Sequence, residues 1–269
     1  MSCACGHDHK HSPPSLPTGE PIPLEPALVR LTGRLICADT AQMLLALDLL
    51  TDHVALSRAE PGNLRFDLAQ ADDPLVWELD ELYADEDAFQ AHRDRLRDSR
   101  WGRESQDIER DFTRSAPLPR LRAEVPQDHA GIADLLRRSF GGEDEARLVA
   151  GLRAAGDLSL SLVAESGGTI IGHVALSPLA ADGPAFALAP LAVHPALRGR
   201  GIGSALVGAA LRGLQDHSIV VQGDPAYYAR FGFRPVELAS PYAGPYLMAR
   251  GPALPSGSRI GHAPAFAAL

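Results

Sequence analysis

The chain has 269 residues, 45% hydrophobic and 22% charged, enough apolar material for a core in each of two modest domains. Its formal net charge of −9 is uneven: residues 1–115 carry 12 Lys+Arg against 22 Asp+Glu, and residues 116–269 carry 13 against 12. An acidic first half argues against nucleic acid, no run of about 18 apolar residues offers a membrane span, and the start lacks a basic-then-apolar secretory signal, so a cytoplasmic protein is expected.

Residues 1–26 are rich in Pro, His and Ser without periodicity, and are expected to form a disordered lead. Within it, Cys3, Cys5, His7, His9 and His11 alternate as soft ligands that can take Zn or Cu. Without a second cluster they close no site, and no metal is assigned. From Ala27 a strand reads to Ala38, then a helix with Asp39 or Thr40 as N-cap, and Cys37 is expected to pack as a small hydrophobe. After the turn Glu60-Pro61-Gly62, NLRFDLAQ sets Leu64, Phe66 and Leu68 on one strand face, and PLVWELDELY is a second strand. Residues 85–101 form a helix opened by acidic residues, which suit its positive end, and DIERDFTR is a last strand. The order β-α-β-β-α-β over residues 27–114 is the ferredoxin-like arrangement. Helices cover only one face of such a sheet, so a homodimer or a packed second domain is expected on the other.

Residues 115–119 read as a linker into a second domain at 120–269. There a strand near 119–125 precedes two amphipathic helices, AGIADLLRRSF and EDEARLVAGLRAAG, and a hairpin turning at Gly167-Gly168. A further strand, AFALAPLAV, is interrupted by Pro190, which predicts a bulge. Then Arg198-Gly199-Arg200-Gly201-Ile202-Gly203 leads into a helix of small residues, followed by the strand SIVVQ and the short helix DPAYYARF, capped by Asp224. Glycines in that turn let a ligand approach the backbone closely, and free N–H groups at a helix start favour an anion. The spacing does not fit a dinucleotide fingerprint.

LAPLAVHPALRGRGIGSALV is similar to the acetyl-coenzyme A motif of the GNAT N-acetyltransferases, with Arg198, Gly201 and Gly203 at the motif positions. GDPAYYARFGFRP resembles that superfamily's later signature, in which a tyrosine, here Tyr228, precedes Gly232-Phe233 by four residues. The resemblance runs from about residue 120 to the C-terminus. It implies a mixed α/β acyltransferase fold, acetyl-CoA as cosubstrate, and an amine acceptor on a small molecule or a protein. It also implies that Leu191, Ala192 and Val193 offer backbone groups to the pantetheine arm. Gly199, Arg200, Gly201, Ile202, Gly203 and Ser204, beside Arg198, would hold the pyrophosphate, and Tyr228 would protonate the departing thiolate. The general base stays open between His173, Glu145 and water.

Residues 27–114 are similar to the antibiotic biosynthesis monooxygenase superfamily at His53, Glu60, Gly62, Glu81, Tyr83, Asp85, Ala88, Phe89 and His92. That likeness implies a dimeric α+β barrel type of ferredoxin-like domain, pairing as a homodimer. It also brings an alternative activity, cofactor-independent oxidation of phenols or quinols, for which His53, Trp77 and His92 are candidates. A third reading is a non-catalytic coenzyme A sensor. The fold class expected for the whole chain is α+β.

Overall fold

The computed structural model describes residues 16–268, so the Cys/His tract at residues 3–11 lies outside the described residues. Its first element corrects the expectation of a lead without structure up to residue 26. Strand β1 (Thr18–Pro21) pairs antiparallel with residues 120–122, on the edge of the second half's sheet. Ile22 N–H then donates to the Pro119 carbonyl at 2.8 Å, and Ile22, Leu24 and Leu28 are buried in the second half's core. Spaced apolar residues among prolines carry no period, yet here they cover an exposed edge.

The first half follows the expected order: β2 (Val29–Ile36), α1 (Thr40–Arg58), β3 (Asn63–Gln70), β4 (Val76–Tyr83), α2 (Glu86–Asp98), α3 (Arg100–Glu104) and β5 (Glu109–Ser115). The sheet order is β3-β4-β2-β5, with every neighbour antiparallel. Asp39 caps α1 by accepting from Gln42 N–H, and Asp85 caps α2 by accepting from Ala88 N–H, both at 2.9 Å. The single helix expected over 85–101 breaks at Ser99, whose hydroxyl donates to the Leu96 carbonyl and accepts from Gly102 N–H to cap α3. That break turns Trp101 inward onto Leu49, Leu50 and Cys37.

The sheet face away from the helices is polar. Arg30 forks onto Asp80 at 3.0 and 2.8 Å, Arg65 reaches the same carboxylate at 2.5 Å, and Arg34 lies 3.8 Å from Glu78. The apolar exception is at one end, where Leu64, Leu82 and Ala84 join the core of the second half. A packed second domain is thus supplied within the chain.

The second half comprises β6 (Arg120–Ala123), α4 (His129–Phe140), α5 (Asp144–Ala155), β7 (Leu160–Ser166), β8 (Thr169–Ala180), β9 (Ala185–Val193), α6 (Ile202–Ala210), β10 (Ser218–Gln222), α7 (Pro225–Tyr228), β11 (Arg234–Pro235), β12 (Leu247–Arg250) and β13 (Gly261–His262). The sheet runs β1-β6-β7-β8-β9-β10-β12-β11, with β13 on the end of β8. Helices α4 and α5 pack Ile132, Leu136 and Val149 on Val163, while α6 packs Leu206 and Val207 on Leu162, Ile171 and Val174. Helix α6 sits close because Gly172 has no side chain: a Cβ there would lie 2.8 Å from Ile202 and 2.9 Å from Leu206.

Two irregularities open the sheet where the site lies. Val174 pairs with Leu191 but Leu176 with Leu188, so Ala189 and Pro190 together oppose Ala175, the bulge that Pro190 predicts. Parallel pairing of β9 with β10 covers only Ala185–Ala187 against Ser218–Val220, after which no register joins the two strands. The proline-rich stretch after Phe233, where the pattern predicts no element, returns as β12 and packs Leu238, Leu247, Ile260 and Phe266 on Leu148, Leu152 and Val220. Among the described residues, no helix is long and apolar enough to cross a membrane.

Candidate functional site

Where β9 leaves its partner, the chain makes a short 3-10 turn (Pro195–Leu197) and enters α6 through Arg198–Gly201. The resulting groove has a volume of about 630 Å³, within the range of small-molecule sites. Leu191, Ala192 and Val193 form one wall, and Arg198, Gly199, Gly201, Ile202, Gly203 and Ser204 the end. Gly199 (φ 78°) and Gly201 (φ 86°) are left-handed, and a Cβ on either would meet nothing within 4 Å. The approach to α6 is therefore open at Gly199 and Gly201, while Tyr227 stands over Gly203, and the N–H groups of Ile202, Gly203 and Ser204 precede the first helical bond, from Ala205 N–H to the Gly201 carbonyl. Helix dipole and donors favour an anion there. Arg198 stands beside it, one amino group donating to the Ser139 carbonyl at 2.7 Å, and Arg230 lies 4.8 Å above the Tyr227 ring.

Arg200 is the exception among the residues expected to meet the cofactor. Its side chain leaves the groove for the first half, donating to the Ala84 carbonyl at 2.8 Å and to the Pro26 carbonyl, with Asp85 at 3.8 Å. It is only 12% exposed, and burial pushes its guanidinium below the usual range. Alternate residues of the turn thus face opposite ways: Arg198 toward the groove, Arg200 toward a neighbour that the motif alone does not reveal.

The two tyrosines divide similarly. Tyr227 lines the groove, with its phenol oxygen 2.8 Å from where a Gly203 Cβ would sit. Tyr228 lies behind it, 7% exposed, edge-on to Tyr227 at 5.0 Å and to Phe233 at 5.5 Å. Its ring occupies the space beside Gly223, directly after β10, on the strand that parts from β9. Burial raises its phenol well above the usual range and keeps it protonated.

His173 does not reach the groove. It is fully buried, with Nε2 2.9 Å from Ser161 Oγ. Ser161 in turn donates to Glu124, which Arg153 grips at 2.9 and 3.0 Å. Burial pushes His173 down to about 4, so the imidazole is neutral. Glu145 is half-buried on α5 and lines no part of the groove. A larger hollow, about 970 Å³ along residues 235–257, has Glu237 as the sole ionisable side chain of its wall.

A second cavity, about 340 Å³, lies inside the first half between helices and sheet, walled by His53, Phe66, Glu81, His92, Trp101 and Phe112 among others. Glu60 ties its polar end, accepting from Arg95 at 2.8 Å and meeting His92 Nδ1 at 2.9 Å. Burial alone would raise Glu60, but His92 and Arg95 outweigh it and hold the carboxyl low. Glu81 is 4% exposed, accepts from the Tyr83 hydroxyl at 3.0 Å and lies 4.0 Å from His92 Nε2; burial pushes it up to about 7. Burial, reinforced by Arg95, pushes His53 down to about 3. Of the three candidates here, Trp77 packs beside Leu35 in the core, and Trp101 takes the wall instead. Among the described residues no group of His, Cys, Asp or Glu is placed to hold a metal ion.

A family model described as "Acetyltransferase (GNAT) domain" matches residues 157–235, and one described as "Antibiotic biosynthesis monooxygenase" matches residues 40–97. The chain is 45% identical over 120 residues to the uncharacterized N-acetyltransferase YhbS of Escherichia coli, covering 42% of this chain and 72% of that one. It is 33% identical over 129 residues to the uncharacterized N-acetyltransferase YjhQ of E. coli K12, covering 44% and 71%. The crystal structure of E. coli YhbS in complex with CoA superposes with a TM-score of 0.52 at 34% identity, covering 57% of this chain and 94% of that one.

Proposed function

This chain belongs to the GNAT N-acetyltransferases, and from that premise we propose that it moves an acetyl group from acetyl-CoA to a primary amine at the groove beside α6. The single observation that carries the assignment is the turn Gly199–Ser204, which leads into the first turn of α6 and lines the end of the groove beside Arg198, next to a bulged strand. In this reading that turn and Arg198 hold the pyrophosphate, and the edge of Leu191–Val193 left without a β10 partner meets the pantetheine arm. Tyr228, beside the β9/β10 opening and protonated, hands its proton to the sulfur as the amine nitrogen bonds to the acetyl carbon and the C–S bond breaks. Tyr227 shapes the groove. With His173 locked to Ser161 in the core, water takes the proton from the amine.

Thiol release from acetyl-CoA across a panel of small amines and peptides tests the proposal. Amine-dependent release supports it, whereas tight binding with no release from any acceptor leaves a coenzyme A sensor.

The first-half cavity favours a second reading, oxidation of a phenol or quinol without a cofactor. Its support is the enclosed placement of Glu81, His92 and His53 around apolar walls. Oxygen uptake with quinols, lost in Glu81→Gln, is the test. We also propose that two copies pair through residues 27–114, where β5 is an exposed edge strand able to pair with another chain. Light scattering that finds only single chains at micromolar concentration refutes this.

A further inference from the structure

We infer that the first-half cavity takes a hydroxylated aromatic acid, its hydroxyl at the buried polar end and its acidic group at Arg93 and Arg110 on the rim. The inference rests on reading that cavity as a phenol or quinol site, and it names the class of ligand admitted.

One face of α2 supplies Phe89, His92, Arg93 and Leu96 to the cavity, the i, i+3, i+4, i+7 stripe of a helix, and β5 supplies Arg110 and Phe112 from alternate positions. Arg93, Leu96 and Arg110 also line an outer hollow of about 400 Å³, so the two spaces adjoin at these arginines. His53, Glu81 and His92 line the cavity and not the hollow, which sets them deeper.

The deep groups are 6%, 4% and 3% exposed in that order, and each commits one side-chain atom to the fold. His53 Nδ1 meets Arg95 at 3.2 Å, His92 Nδ1 meets Glu60, and Glu81 Oε2 accepts from Tyr83. The other atom of each, His53 Nε2, His92 Nε2 and Glu81 Oε1, makes no hydrogen bond among the described residues, and none of the three is sealed from solvent. They open onto the cavity they line. A hydroxyl suits such a mixed set, because it donates to a carboxylate and accepts from an imidazole N–H. A ligand carboxylate placed there would face Glu60 and Glu81, and an alkyl end would leave the polar atoms unpaired.

The rim has the opposite character. Arg93 makes no hydrogen bond or ion pair among the described residues, and its guanidinium lies 5.9 Å from the Phe89 ring centre. Arg110 is fixed by the Ser105 and Ile108 carbonyls at 3.0 and 2.8 Å and by the Ser105 hydroxyl at 2.7 Å, all neutral acceptors that leave its charge uncompensated. Asp94, the carboxylate on the hollow's wall, is taken by Arg97 at 3.2 Å. Two arginines without a carboxylate partner at the mouth of a cavity favour an anionic group on the ligand. Between the two ends, the rings of Phe66, Phe89, Trp101 and Phe112 suit an aromatic body.

Calorimetric titration of the full chain at neutral pH with 6-hydroxy-2-naphthoate and with its uncharged amide tests this, in the parent, Arg93→Gln, Arg110→Gln and Arg34→Gln. Arg34, beside Glu78 on the opposite sheet face, controls for the loss of one positive charge. Arg93 and Arg34 are exposed, so their variants should fold, and a urea melt verifies this for all three. The parent and Arg34→Gln should bind the acid at least about tenfold more tightly than the amide, and that ratio should shrink at least about threefold in Arg93→Gln and in Arg110→Gln. Equal binding of acid and amide, a ratio unchanged in folded Arg93→Gln, or a fall as large in Arg34→Gln would overturn the inference and leave phenol oxidation to the oxygen-uptake test. Binding of neither probe would overturn both readings of the cavity. An arginine-dependent preference for the acid without oxygen uptake would uphold the inference and remove the oxidation.

Discussion

Placing aspartate at Gly201 separates the cost of folding from the cost of binding at the groove. Gly201 has φ 86°, and a side chain there costs roughly 1–2 kcal/mol in backbone strain, but its Cβ would meet nothing within 4 Å. Gly201→Ala should therefore lose about 1–2 kcal/mol of stability and no more. In Gly201→Asp the carboxylate also sits at the positive end of α6, which returns about 0.3–1 kcal/mol. The aspartate variant should fold about as well as the alanine variant. Binding differs, because the carboxylate points into the space assigned to the pyrophosphate. One like-charge pair about 5 Å apart at an effective dielectric of about 20 costs roughly 3 kcal/mol, and salt reduces this. Calorimetry with acetyl-CoA should show affinity at least about tenfold weaker in Gly201→Asp, with Gly201→Ala much closer to the parent, and urea melts should report both folded. A folded Gly201→Asp that binds acetyl-CoA as the parent does would refute the site.

Tyr228→Phe should lower turnover at least about tenfold with acetyl-CoA affinity barely changed, and Tyr227→Phe should do less; equal activity of Tyr228→Phe across pH 6–9 would make the phenol structural. Arg200→Met should cost about 2 kcal/mol in a urea melt, since the Ala84 carbonyl loses a charged donor, and should weaken acetyl-CoA less than Arg198→Met does. The opposite ranking would return Arg200 to the cofactor. Because Glu81 is raised to about 7 in the fold, the folded state holds its proton more tightly than the unfolded chain. Its stabilising contribution is complete below about pH 4.5 and is lost as pH rises toward 7. Glu81→Gln should therefore gain stability relative to the parent between pH 5 and 8, by up to roughly 3 kcal/mol; a constant difference between the two would refute the raised carboxyl.

The strands and helices of residues 27–233 are legible because each has its own period and punctuation: Asp39 and Asp85 before helices, Gly167-Gly168 between strands, Pro190 within one. The groove is legible for a related reason, since Gly199 and Gly201 are left-handed positions that a short motif records. What escaped depends on contacts between distant residues. Ile22 and Leu24 are buried by a sheet formed about a hundred residues later, and no local period announces that. Arg200 reads as a cofactor ligand until the Ala84 and Pro26 carbonyls come beside it. Trp101 reaches the wall of the first-half cavity because the chain breaks at Ser99, while Trp77 stays in the core.

The central claim, that the groove beside α6 carries acetyl transfer, is tested most directly by measuring amine-dependent thiol release from acetyl-CoA in the parent and in Gly201→Asp side by side. The account predicts release that requires an acceptor amine, yields the acetylated amine in equal amount, and falls at least about tenfold in the folded variant at subsaturating acetyl-CoA. Release that proceeds equally well in Gly201→Asp would contradict it.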